Sequence, residues 1–84
     1  MKGGGIMGGN LEYNYSKLRG RIVEIFETQQ NFAKEMGWSE HTLSSKLSNK
    51  VGWKQTDIAK TIALLKLKLE DIPTYFFNFK VQEM

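Results

Sequence analysis

Apolar residues recur at helical spacing through most of the chain. Between Ser16 and Phe26, Leu18, Ile22, Ile25 and Phe26 fall on one side of a 3.6-residue helix and Lys17, Arg19, Arg21 and Glu24 on the other, which predicts a first amphipathic helix. Gly20 interrupts it at a cost of about 1 kcal/mol relative to alanine, and the sequence leaves open whether it marks a close approach or tolerated strain. Thr28 suits the N-cap of a second helix running through Phe32, Ala33 and Met36, and Gly37 supplies the left-handed residue that stops it. Ser39 then caps a third helix with Leu43 and Leu47 on its inner face, so Glu40, His41, Thr42, Ser44, Ser45 and Lys46 are expected mostly outward. Ser48 to Gly52 reads as a loop. A fourth helix from about Gln55 to Leu65 would bury Ile58, Ile62 and Leu65. A short fifth, near Leu69 to Phe76, would bury Leu69, Ile72 and Phe76, and Pro73 limits it, because proline is tolerated only in a first turn. Phe77 to Gln82 alternates apolar and polar residues, the pattern of an extended strand.

These elements predict an all-α fold, a compact five-helix domain with a short C-terminal extended strand. Glycine dominates Met1 to Gly9, and its backbone entropy opposes order. The expected division is a flexible tail over 1–13, partly a remnant of expression given the second methionine at Met7, a domain over 14–77 and a C-terminal tail over 78–84. At 84 residues the chain has room for one core and no second, and a chain this short gains from a partner subunit.

Composition narrows the function classes. The dense apolar stretch from Ile58 to Leu69 is broken by Lys60, Lys66 and Lys68 and falls short of the roughly 20 residues that span a bilayer. No apolar core of a secretory signal follows Lys2, so a cytoplasmic location is expected, with no membrane partner. The absence of cysteine removes disulfides and thiolate chemistry. His41, the only histidine, has no companion for metal binding or acid–base work, and the acidic residues Glu24, Glu27 and Glu35 are dispersed. The expectation is therefore a protein without cofactor, metal or enzymatic activity. A net charge of +3 suits a polyanionic partner but decides little alone.

The informative spacing lies in Gln29 to Leu47. Ala33 is small where two helices cross, Gly37 permits a tight turn, Trp38 and Leu43 fill the angle between the helices, and Leu47 anchors the second of them. In these positions the chain resembles the helix-turn-helix of the lambda repressor and Cro superfamily (XRE-type), and the resemblance covers about Tyr15 to Phe77. The runs Tyr15 to Gly20, Leu47 to Gln55 and Asp71 to Phe77 look more closely like small phage proteins labelled Cro-like repressors.

That resemblance implies a third helix in the major groove of operator DNA, with Ser39, Glu40, His41, Thr42 and Ser45 as candidate base-contacting residues. It implies phosphate contacts from Gln29 and Gln30 at the start of the second helix and from Lys46, Asn49, Lys50 and Lys54 on the other side of the groove. The function implied is a DNA-binding transcriptional repressor, expected as a homodimer on half-sites about 34 Å apart. Its affinity would fall with salt at a logarithmic slope of about −4 to −7 for four to eight neutralised phosphates. The recognition face carries no arginine or glutamine for the commonest bidentate base contacts, and Glu40 is poorly suited to a phosphate-lined groove. An alternative of a different class therefore stands beside the first: the same fold used to bind a phage repressor protein, as a modulator or antirepressor.

Overall fold

A computed structural model describes residues 12–79. Five α-helices follow in order: α1 (Ser16–Phe26), α2 (Gln29–Met36), α3 (Glu40–Leu47), α4 (Gln55–Leu64) and α5 (Ile72–Phe76), the last entered through a 3-10 turn at Leu69–Asp71. Fold class and helix order agree with the sequence pattern.

The caps behave as their residue types dictate. Thr28 accepts a hydrogen bond from the Asn31 N–H through its hydroxyl, and Ser39 accepts one from the Thr42 N–H, each satisfying a donor that a helix start leaves free. Gly37 adopts φ 81°, the left-handed conformation that terminates α2 and turns the chain into α3. Asp57 accepts at 2.9 Å from the N–H of Lys54 and so stabilises the start of α4; Asp71 does the same for Lys68 before α5. Two arginines of α1 close the far ends of other helices. Arg19 donates to the Leu47 carbonyl at 3.1 Å and Arg21 to the Leu65 carbonyl at 3.0 Å, placing positive charge where the helix dipole is negative.

The core gathers one stripe from each helix: Leu18 and Ile22 from α1, Phe32, Ala33 and Met36 from α2, Leu43 and Leu47 from α3, Ile62 from α4 with Leu65 at its end, and Phe76 from α5. α1 packs on α2, α2 on α3, and α5 back on α1. Thr61, fully buried, donates its hydroxyl to the Met36 sulfur and ties α4 to α2.

Four expectations are corrected. Leu69 is not in the core but 77% exposed, because the 3-10 turn rotates it out while Ile72 and Phe76 carry the packing. The C-terminal strand is reduced, among the described residues, to a single antiparallel bridge between Phe79 and Tyr13, and residues 80–82 lie outside them. Tyr13, expected in the tail, is half-buried and packed against the core. Ser45 and Lys46, expected outward, are buried. α3 turns its 43, 46 and 47 positions inward together, as helical geometry requires of i, i+3 and i+4. Gly20 is settled as well: a Cβ built there meets nothing within 4 Å, so no close approach among the described residues explains it.

Candidate interaction surface

The residues expected to face DNA divide into those the fold uses and those it leaves exposed. Ser39, Glu40 and His41 are exposed at the start of α3, and Thr42 is half-buried. Ser39 and Thr42 are occupied with each other, since the Ser39 hydroxyl accepts from the Thr42 N–H and donates to the Thr42 hydroxyl, both at 3.1 Å. Glu40 and His41 are thus the first-turn side chains of α3 that take no part in its cap. At the start of α2, Gln30 is exposed and Gln29 half-buried.

At the end of α3 and in the loop after it the picture departs further from a phosphate grip. Lys46 is 6% exposed; its ammonium donates to the Gly52 carbonyl at 3.0 Å and to the Asp57 carboxylate at 3.1 Å, and lies 5.0 Å from the centre of the Trp38 ring. Burial pushes the Asp57 carboxyl up, but the Lys54 N–H and the Lys46 hydrogen bond and charge outweigh it and hold the group below its ordinary value. Asn49 sits at φ 70°, a conformation asparagine tolerates better than most residues. Its side-chain amide accepts from the Tyr13 N–H at 2.9 Å and donates to the Tyr13 carbonyl at 3.0 Å. Lys46 and Asn49 therefore hold the fold together, whereas Lys50 and Lys54 remain exposed.

Asn49 fixes Tyr13 beside a cluster that sequence reasoning missed. The Tyr13 ring stacks on Phe79 at 4.9 Å, meets Phe77 edge-on at 5.8 Å and approaches Tyr15 at 6.0 Å; Tyr15 in turn faces Trp53, whose ring meets Phe76 at 5.1 Å. Between them opens a cleft of about 380 Å³, whose lining includes Tyr13, Tyr15, Trp53, Phe77 and Val51, with Glu12 also lining it. Val51 and Phe77 are nearly half exposed. Burial, and secondarily the neighbouring Tyr13, pushes the Tyr15 hydroxyl above its ordinary value. The signal in the sequence was the density of aromatic residues at both ends of the domain, obscured because Tyr13 adjoins the glycine-rich start.

Among the described residues no set of acidic or histidine side chains could hold a metal ion, and no helix is long and apolar enough to cross a membrane. A family model described as "Protein of unknown function (DUF739)" matches residues 11–79. The chain belongs to this family. DUF739 carries no functional description, so likeness to repressors rests on the all-helical fold, which is compatible with a helix-turn-helix domain. Among solved structures, this DUF739 chain is similar to the solution structure of the modulator of repression (MOR) of the temperate bacteriophage TP901-1 from Lactococcus lactis. Identity is 53%, covering 79% of this chain and 89% of that one, with a TM-score of 0.71. No curated protein matches.

Proposed function

We propose that this chain is a modulator of a phage repressor, a helix-turn-helix-fold protein that works by binding the repressor protein. The observation that carries the reading is the 53% identity, spanning most of both chains, with a phage modulator of repression. The geometry supports it. Of Lys46, Asn49, Lys50 and Lys54, expected to grip phosphate, Lys46 and Asn49 are committed to internal hydrogen bonds, and the exposed first turn of α3 offers Glu40 and His41 in place of an arginine or glutamine. A Cro-like repressor that occupies operator DNA as a homodimer is the second reading, kept by Lys50 and Lys54, which stay exposed beside the loop.

The deciding experiment mixes the purified chain with the cognate phage repressor, without DNA, and follows complex formation by calorimetry and light scattering. A defined complex, together with little salt-dependent operator binding by the chain alone, supports the modulator. Tight operator binding by the chain alone, with the steep salt slope that phosphate contacts impose, and no complex with the repressor, overturns it in favour of the second reading.

A further inference from the structure

The two ends of the described chain meet in one antiparallel bridge, Tyr13 with Phe79, and its hydrogen bonds fix the register. The Asn14 N–H donates to the Asn78 carbonyl, so 14 faces 78 as 13 faces 79. The Tyr13 N–H and carbonyl both go to the Asn49 side chain, at 2.9 and 3.0 Å. They therefore point away from Phe79, and Tyr13 and Phe79 form the non-hydrogen-bonded kind of antiparallel pair, in which opposed side chains come closest. Their rings stack at 4.9 Å accordingly. Carried outward past the described residues, the same register sets 12 opposite 80, 11 opposite 81 and 10 opposite 82.

The sequence on both sides is in phase with that register. Asn10, Glu12 and Asn14 alternate with Leu11 and Tyr13, while Asn78, Lys80 and Gln82 alternate with Phe79 and Val81. Successive residues of a strand lie on opposite faces, so the register joins like with like: Asn14 with Asn78, Tyr13 with Phe79, Glu12 with Lys80, Leu11 with Val81 and Asn10 with Gln82. A slip by one residue would set every apolar side chain against a polar one. Neither segment contains proline or glycine, and glycine, which weakens strands, begins only at Gly9. Asn49 already stands where a third strand would pair with Tyr13, so that edge is closed.

We propose that residues 10–14 and 78–82 form a two-stranded antiparallel ribbon that fastens the two ends of the domain together, with Leu11 opposite Val81 as its next non-hydrogen-bonded pair. Phe77 and Phe79, each 46% exposed, then belong to one apolar strip that Leu11 and Val81 lengthen.

The test needs no partner protein. Non-hydrogen-bonded pairs bring their Cα atoms closest, so the unmodified chain should show a nuclear Overhauser cross-peak between the Hα atoms of Leu11 and Val81, beside the one between Tyr13 and Phe79. The chain has no cysteine, which allows a second measurement. The double variant Leu11→Cys, Val81→Cys is compared, in a glutathione redox buffer, with Leu11→Cys, Gln82→Cys, one residue out of register. The first should form an internal disulfide with an equilibrium constant about tenfold or more above the second, because cysteines whose Cβ vectors diverge cannot be bridged without moving the backbone. The advantage should vanish in concentrated urea. A missing cross-peak between Leu11 and Val81, or equal disulfide formation by the two variants in native buffer, overturns the ribbon. Disulfides between two copies in place of the internal one overturn it in favour of strand exchange. None of these readouts involves the repressor, so the modulator reading stands whichever way they fall.

Discussion

Replacing Lys46 by methionine separates a phosphate-gripping lysine from a structural one. Methionine keeps the length and most of the volume, so the change removes the ammonium with little cavity. Lost with it are the hydrogen bond to the Gly52 carbonyl, the ion pair with Asp57 and the contact over Trp38. Taking one partner from a fully buried pair costs about 3–5 kcal/mol, because the other charge stays buried and unpaired. Here the Asp57 side chain keeps 15% of its exposure and still accepts from the Lys54 N–H, which places the loss near 2 kcal/mol. For a domain of this size that lowers the melting temperature by about 8–16 °C. Urea denaturation followed by tryptophan fluorescence measures it directly, with Lys50→Ala, a surface change expected within about 0.5 kcal/mol, as the reference. Asp57→Asn completes a double-mutant cycle whose coupling should be about 1 kcal/mol or more, in the range seen for residues in one network. Lys46→Met as mild as Lys50→Ala, with no coupling to Asp57, would refute the structural role and return Lys46 to the list of free cations.

Further outcomes follow from other sites. Gly20→Ala should stabilise the isolated chain by about 0.5–1 kcal/mol in the same urea assay, since the added Cβ meets nothing and the helix interior disfavours glycine; destabilisation would mean a clash the structure does not contain. Asn49→Ala should cost about 2–3 kcal/mol, two hydrogen bonds plus a disfavoured positive φ, and Asn49→Gly about 1 kcal/mol less, because glycine accepts that φ freely; in both, amide exchange at Tyr13 should quicken. Because the Asp57 carboxyl is held below its ordinary 3.8, its contribution is fully present above that value and lost as pH falls through the lower folded value. The stability gap between the natural chain and Asp57→Asn should accordingly stay flat above about pH 5 and narrow only in stronger acid.

Much of the fold was legible because local chemistry and periodicity agreed. Thr28, Gly37 and Ser39 mark helix ends through hydrogen bonds and backbone conformations that belong to those residue types, and the apolar stripes from Leu18 to Ile62 follow the 3.6 period. The misreadings came where residue type and period disagreed. Lys46 lies three residues after Leu43 and one before Leu47, so the period places it inside; its charge suggested the surface, and only the distant Asp57 and Gly52 make its burial tolerable. Leu69 failed in the opposite sense: an apolar residue in register for a continuous helix was displaced by a 3-10 turn. The aromatic cleft was illegible because it depends on long-range pairing, of Tyr13 with Phe79 and of Asn49 with Tyr13, residues separated by most or half of the domain.

The same comparison bears on function. A helix-turn-helix binds DNA when its first turns present base readers and the segment after the recognition helix presents cations to phosphate. In this chain Ala33 of α2 and Leu43 of α3 are buried and Gly37 makes the turn between the two helices, an arrangement compatible with a helix-turn-helix, while Lys46 and Asn49 are turned inward to brace the α3–α4 loop and to hold Tyr13. The aromatic cleft exists because of that inward turn: Asn49 positions one wall and the Lys46 backbone anchors Trp53 in another. Restoring Asn49 to the surface as a phosphate contact would remove its hold on Tyr13, one wall of the cleft, so at this position the fold opposes a phosphate contact. A chain with Asn49→Lys should test that opposition. It gains a cation where the DNA reading wants one, so that reading expects operator affinity to rise at low salt, with the rise lost as salt increases; the protein-partner reading expects no such rise.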